Sequence, residues 1–128
     1  MLPLRILSTP AADELIRSLS AKHGPLMFHQ SGGCCDGSAP MCFLKGEFRV
    51  GAQDVLLGSV ADDVQVWIGE AQFAYWRHTQ VTIDVVPGRG AGMSLESPGG
   101  MRFIIRSRLF SAEEVAMLAG AGEPERGG

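Results

Sequence analysis

The hydrophobic period of the chain changes at Gly24-Pro25, and this change limits the folds that are open to it. Before it, one apolar stripe has the spacing of a helix face: Ala12, Leu15, Ile16 and Leu19. Thr9 suits the N-cap, and Pro10 suits the first helical position, where a missing N–H costs nothing. After it, apolar and polar residues alternate with the period of a strand. We therefore predict a helix over residues 9–23, followed by a β-rich remainder.

Short alternating runs then continue to residue 107, separated by glycine-rich turns. They predict strands at 26–30, 40–45, 55–59, 64–68, 80–85, 93–96 and 101–107, with a helical turn at 70–76. Ser111-Ala112-Glu113-Glu114 is a capping box, which predicts a short C-terminal helix. Strands that are apolar on one face are typical of antiparallel sheets. We predict an α+β fold in which the N-terminal helix packs on a mainly antiparallel, barrel-like or sandwich-like sheet.

Composition indicates one domain and narrows the range of partners. The chain has 128 residues, of which 45% are hydrophobic, so we predict a single globular domain at 1–119. Glycine, proline and charged residues dominate 120–128, which we predict to be a flexible tail. A net charge of -3 supplies no basic stripe, so nucleic acid is not expected as a partner. No apolar run approaches the ~18 residues of a membrane span, so we predict a cytoplasmic protein without a membrane partner.

The 3 cysteines of the chain, Cys34, Cys35 and Cys42, lie close together in a glycine-rich stretch. An odd number in one cluster argues against a disulfide framework and for reduced thiols. Thiolates are strong ligands for soft metals, and His29 lies just upstream. We predict that Cys34, Cys35, Cys42 and His29 bind zinc or an iron or iron-sulfur unit.

Each of these residues also has a simpler interpretation. Cys42 lies in the middle of a predicted strand, where a cysteine is often part of the core. His29 can be a histidine that only forms a hydrogen bond. Cys34 and Cys35 have glycine, aspartate and serine as neighbours, which favours functional thiols. A disulfide between them would be strained, because adjacent Cα atoms lie about 3.8 Å apart and relaxed disulfides prefer about 5.5 Å.

Three stretches resemble a bacterial family of unknown function whose genes often lie beside aldehyde dehydrogenase genes. They are Gly24-Pro25-Leu26-Met27-Phe28, the run from Gln30 to Ser38, and Trp67-Ile68-Gly69. The resemblance covers most of residues 9–118. It implies an association with aldehyde metabolism, with an aldehyde dehydrogenase as a partner.

The chain also resembles, more distantly, the A-type iron-sulfur carriers with the HesB-like fold. Cys35-Asp36-Gly37 stands where those carriers have a Gly-Cys-x-Gly loop, and the runs 79–84 and 92–98 resemble their last strands in order and spacing. The resemblance implies a HesB-like fold and iron-sulfur chemistry. The second cysteine pair of those carriers has no counterpart in residues 99–118 of this chain.

Three classes of function follow. The first is a thiolate metal-binding accessory protein associated with aldehyde metabolism. The second is a metal-free interaction module that docks on an aldehyde dehydrogenase, an idea that rests on the resemblance alone. The third is an enzyme with a cysteine nucleophile that acts on an aldehyde or a thioester. It ranks last because no histidine is placed as a base by spacing and no dinucleotide-binding motif follows a strand.

Edge strands and an incomplete ligand set predict a homo-oligomer.

Overall fold

The structure, a computed structural model, describes residues 3–30, 39–88, 94–95, 99–122 and 124–127. The elements follow one another in the order β1 (Ile6–Ser8), α1 (Pro10–His23), β2 (Leu26–Gln30), β3 (Met41–Leu44), β4 (Asp54–Val60), β5 (Val64–Gly69), α2 (Glu70–Trp76), β6 (Thr79–Pro87), β7 (Met101–Leu109) and α3 (Ala112–Ala121). None of the helices in these ranges has both the length and the apolar character needed to cross a membrane.

Helix α1 confirms the helix predicted at residues 9–23. The Thr9 side chain accepts a hydrogen bond from the Ala12 N–H at 3.1 Å, and Pro10 is the first helical residue. Gly24 ends the helix and donates its N–H to the carbonyl oxygen of Ser20 at 2.8 Å. The predicted stripe is the buried face, with Ile16 fully buried. Local signals were sufficient here because every one of them lies within the helix or next to it.

The strands form two sheets, which confirms an α+β fold. One sheet has the strand order β1-β6-β7 and the other has the order β3-β2-β5-β4. The pairs β2/β3, β4/β5 and β6/β7 are antiparallel, whereas β1/β6 and β2/β5 are parallel. The parallel pairs were not predicted. Strand β1 has only 3 residues, too few to show an alternating pattern, and all 5 residues of β2 are buried, so β2 does not alternate.

The two sheets face each other across one core but do not close into a barrel, so the barrel-like alternative was wrong. Phe28 of β2 meets Phe103 of β7 edge to face, with ring centroids 4.9 Å apart. Strands β1 and β4 come close at Gly58, where an added Cβ would lie 2.8 Å from Cγ2 of Ile6. The register of β4 shifts between Leu56 and Gly58, at this same point. In the described ranges no strand pairing joins the two sheets.

Two elements follow β7. Helix α3 confirms the predicted C-terminal helix, with both hydrogen bonds of the capping box between Ser111 and Glu114. Residues 124–127 lie beside β4. There the Leu56 N–H donates to the Glu125 carbonyl at 2.8 Å, and the Gly127 N–H donates to the Asp54 carbonyl at 3.0 Å. A domain at 1–119 followed by a flexible tail at 120–128 stays a prediction.

Gly58 should tolerate no side chain. Its φ is +145°, and a Cβ there would overlap Ile6 between the two sheets. We expect Gly58→Ala to lower the free energy of unfolding by about 2 kcal/mol, measured by urea denaturation. Gly99→Ala is the matched control because a Cβ at Gly99 meets nothing within 4 Å. Equal stabilities of the two variants would contradict this account of the sheet contact.

The start of α3 should make stability depend on pH. Two Arg108 nitrogens lie 2.9 Å from the two Glu114 carboxylate oxygens, and this ion pair, with the Ser111 N–H, lowers the pKa of Glu114 from 4.5 to about 2. A pKa that is lower in the folded state gives stability that is complete well above pH 4.5 and is lost as the pH falls towards 2.

We therefore expect Glu114→Gln to lower the melting temperature at pH 7 and to change it little near pH 2, measured by circular dichroism. Glu113→Gln is the matched control, because it removes a charge from the same helical turn without touching this pair. An equal effect of Glu114→Gln at both pH values would refute the role of the ion pair.

Candidate functional site

Strand β2 sends its side chains to both faces of the four-stranded sheet. In the antiparallel pair with β3, Phe28 lies opposite Cys42, and His29 lies opposite Met41. Residues directly opposite each other share a face of the sheet. Phe28 and Cys42 both belong to the hydrophobic core and have 0% of their surface exposed. Phe28 and Cys42 therefore define the inner face, and His29 lies on the outer face.

The structure thus separates two of the four predicted ligands. Cys42 lies in the core, where its N–H donates to Oγ of Ser94 at 2.9 Å and its carbonyl accepts from the Leu95 N–H at 3.1 Å. Cys34 and Cys35 lie outside the described residues. Among the residues that are described, no group of three or more His, Cys, Asp or Glu side chains could hold a metal ion. The participation of Cys34 and Cys35 stays a prediction.

His29 has a carboxylate partner that the sequence did not indicate. Its Nε2 lies 2.7 Å from Oδ1 of Asp54, with only 5% of the His29 side chain and 15% of the Asp54 side chain exposed. Asp54 is the first residue of β4, and β5 lies between β4 and β2. The two side chains therefore meet across the outer face of an intervening strand.

The environment of Asp54 decides where the proton of this pair lies. Burial raises the pKa of Asp54, but the Gly51 N–H, 2.8 Å from Oδ2, and the contact with His29 lower it, and the result lies below 3.8. Asp54 is therefore ionised at neutral pH and can only accept hydrogen bonds. It follows that Nε2 of His29 carries a proton and donates a hydrogen bond to Asp54.

A turn after β3 covers the histidine. Gly46 has a φ of +93°, which favours glycine, and the Glu47 N–H donates to the Leu44 carbonyl at 2.9 Å to close the turn. The chain returns over the sheet and places the ring of Phe48 on His29, with centroids 4.2 Å apart and planes 30° apart. Phe43 contacts the same phenylalanine, with a centroid distance of 5.3 Å. The aromatic cover keeps His29 out of bulk water.

Asp54 is positioned by its own backbone as well as by its carboxylate. Its N–H donates to the Gly51 carbonyl at 3.0 Å, while Gly51 donates to Oδ2 in return. The sequence contains a weak local signal for this turn, since Gly51 precedes Asp54 by three residues at the start of a strand. The pairing with His29 spans 25 residues and has no such signal.

Removal of the Asp54 charge tests this pair. We expect Asp54→Asn to lower the free energy of unfolding at pH 7 by about 1–3 kcal/mol, because His29 loses a charged acceptor.

The lowered pKa of Asp54 gives the wild type stability that is present above pH 3.8 and is lost as the pH falls further. The variant should lack that acid-dependent loss in a series of thermal melts. Asp63→Asn, at an exposed aspartate, is the control, and identical acid limbs in the two variants would contradict the assignment.

Comparison with known proteins gives one result for this chain. Residues 15–109 match the family described as Domain of unknown function (DUF779). Neither the curated proteins nor the solved structures gave a match. The matched range starts within α1 and ends with β7, and it includes the residues of the candidate site. Because the match covers most of the sequence, the chain belongs to the DUF779 family.

Proposed function

We propose that the protein is a thiolate metal-binding accessory protein of the zinc or iron-sulfur type, associated with aldehyde metabolism. The observation that carries the proposal is the buried contact of His29 with Asp54. Histidines that bind metals almost always donate their second ring N–H to a carboxylate, a carbonyl or water, which sets the tautomer and the ring direction. His29 is also the last residue but one of β2, the strand that leads towards Cys34 and Cys35.

The proposed ligand set differs from the one based on sequence. His29 would supply the imidazole ligand, and the contact of its Nε2 with Asp54 would orient the ring. Cys34 and Cys35 would supply two thiolates. Cys42 is left out because it belongs to the core on the opposite face of the sheet. One imidazole and two thiolates leave one position of a tetrahedral site open, and a second copy of the chain could fill it.

Ligand softness favours zinc or an iron-sulfur unit over magnesium or calcium. The resemblance to A-type carriers supports the iron-sulfur form and a HesB-like fold. The link to aldehydes, with an aldehyde dehydrogenase as partner, rests on the sequence resemblance. Both belong to the proposal and have their own tests, by iron and sulfide analysis and by co-purification with the dehydrogenase.

The same geometry favours a second candidate, an enzyme with a cysteine nucleophile that acts on an aldehyde or a thioester. A histidine oriented by a carboxylate is the base that such a nucleophile requires. Metal ligation and nucleophilic attack make opposite demands on the thiolate, because a bound metal takes up its reactive electron pair. The two candidates can therefore be separated by chemistry.

Elemental analysis tests the first candidate. The protein is purified from its own host under anaerobic conditions and without a chelating column. We expect a stoichiometric amount of zinc or iron, which is lost in Cys34→Ser, Cys35→Ser and His29→Gln. Cys42→Ser and His23→Gln are matched controls and should retain the metal, because Cys42 is in the core and His23 is exposed. Asp54→Asn should weaken metal binding by about 10-fold to 100-fold in competition with a chelator.

A second measurement covers the opposite outcome. Chelator should lower the melting temperature of the wild type, since a metal bound only by the folded state stabilises it. Metal-free protein whose melting temperature is unchanged in chelator would overturn the metal proposal. Alkylation by iodoacetamide that is fast at Cys34 or Cys35 and slow in Asp54→Asn would then support the nucleophile. Slow alkylation in both proteins would instead favour the metal-free interaction module that docks on an aldehyde dehydrogenase.

A further inference from the structure

A cleft of about 380 Å³ opens on the outer face of the four-stranded sheet, beside Phe48. Its floor comes from β2 and β5, where Met27 pairs with Gln65 in parallel register and Trp67 follows two residues later. Met27 is 3% exposed and Trp67 is 8% exposed, and Nε1 of Trp67 donates to Oε1 of Gln65 at 3.3 Å. Packing and this hydrogen bond hold the floor in place without a ligand. A pre-formed apolar cleft of this size suits a small molecule.

The rim of the cleft is positively charged. Lys45 and Arg49 both line it, on either side of the Gly46 turn that carries Phe48 over the sheet. Both side chains are exposed, and within the described residues neither forms an ion pair. Glu47 lies between them in sequence but does not line the cleft. Two cations without an ion-pair partner in the described part of the chain, above an apolar floor and on a chain with a net charge of -3, are complementary to an anion with an apolar body.

We propose that this cleft binds a small amphiphilic carboxylate. The apolar body packs on Met27 and Trp67, and the carboxylate lies between Arg49 and Lys45. The planar guanidinium of Arg49 matches a carboxylate in two parallel hydrogen bonds, and Lys45 adds a point charge. This site is separate from the proposed metal site and does not depend on it. The two are neighbours, because Phe48 lines the cleft and also stacks on His29.

Octanoate, 1-octanol and octylammonium test the proposal, because they share an apolar chain and differ in the charge of the head group. Each is titrated into the full chain and followed by tryptophan fluorescence and by calorimetry. Trp67 is in the cleft and Trp76 is in the core, so Trp67→Phe identifies the source of the signal. We expect saturable binding of octanoate at least tenfold tighter than that of the other two compounds. The fluorescence change should disappear in Trp67→Phe.

Charge-removing variants complete the test. We expect Lys45→Gln combined with Arg49→Gln to weaken octanoate binding at least tenfold and to leave 1-octanol binding unchanged. Arg17→Gln combined with Lys22→Gln removes the same charge from α1, at two positions that do not line the cleft, and should bind octanoate as the wild type does. All four side chains are exposed, so melting temperatures should be unchanged.

Several results would overturn the proposal. They are the absence of saturable octanoate binding in calorimetry, equal affinity for octanoate and 1-octanol, and an unchanged octanoate affinity in the Lys45/Arg49 variant. Protein treated with chelator should still bind octanoate. The outcome for the cleft is therefore separate from the outcome for the metal.

Discussion

Strand β2 is buried on both faces, and the arrangement around it follows from that constraint. Its inner face needs an apolar partner, which Phe103 of the other sheet supplies through an edge-to-face contact with Phe28. Its outer face carries a histidine, and a buried imidazole is costly unless it is hydrogen-bonded. Asp54 and the ring of Phe48 satisfy that requirement together. A single strand therefore links the core to the candidate site through adjacent residues.

The parts of the fold that the sequence predicted are those determined by neighbouring residues. Thr9, Pro10 and Gly24 mark the ends of α1 within one helical turn of the residues they cap, and Ser111 and Glu114 do the same for α3. Alternation correctly placed β5 and β6, because each has one face in the core. Pairing partners depend instead on which exposed edges meet after the chain has folded. For that reason the parallel pair of β2 with β5 was missed.

The candidate site shows the same limit. Alternation indicated that Cys42 and Met41 point to opposite faces, but only the register of β2 with β3 shows that Cys42 faces the core. The sequence did not indicate Asp54 as a partner of His29. The two residues lie on β4 and β2, which are separated by another strand, and no short-range sequence pattern joins them. Phe48 was likewise unremarkable in sequence. Its position over His29 depends on the positive φ of Gly46 in the preceding turn.

The segment from Lys45 to Asp54 has two consequences for function. One end supplies the charged rim of the cleft, the other supplies the carboxylate that orients His29, and Phe48 between them contacts both. Phe48 would therefore neighbour both a ligand in the cleft and a metal-bound His29. Suppose that the cleft ligand moves Phe48 and thereby changes the affinity of the protein for the metal. Linkage then requires that the metal change the affinity for the cleft ligand by the same factor. If Phe48 keeps its place in both bound states, the two sites are independent, because a ligand shifts only an equilibrium whose states it binds unequally.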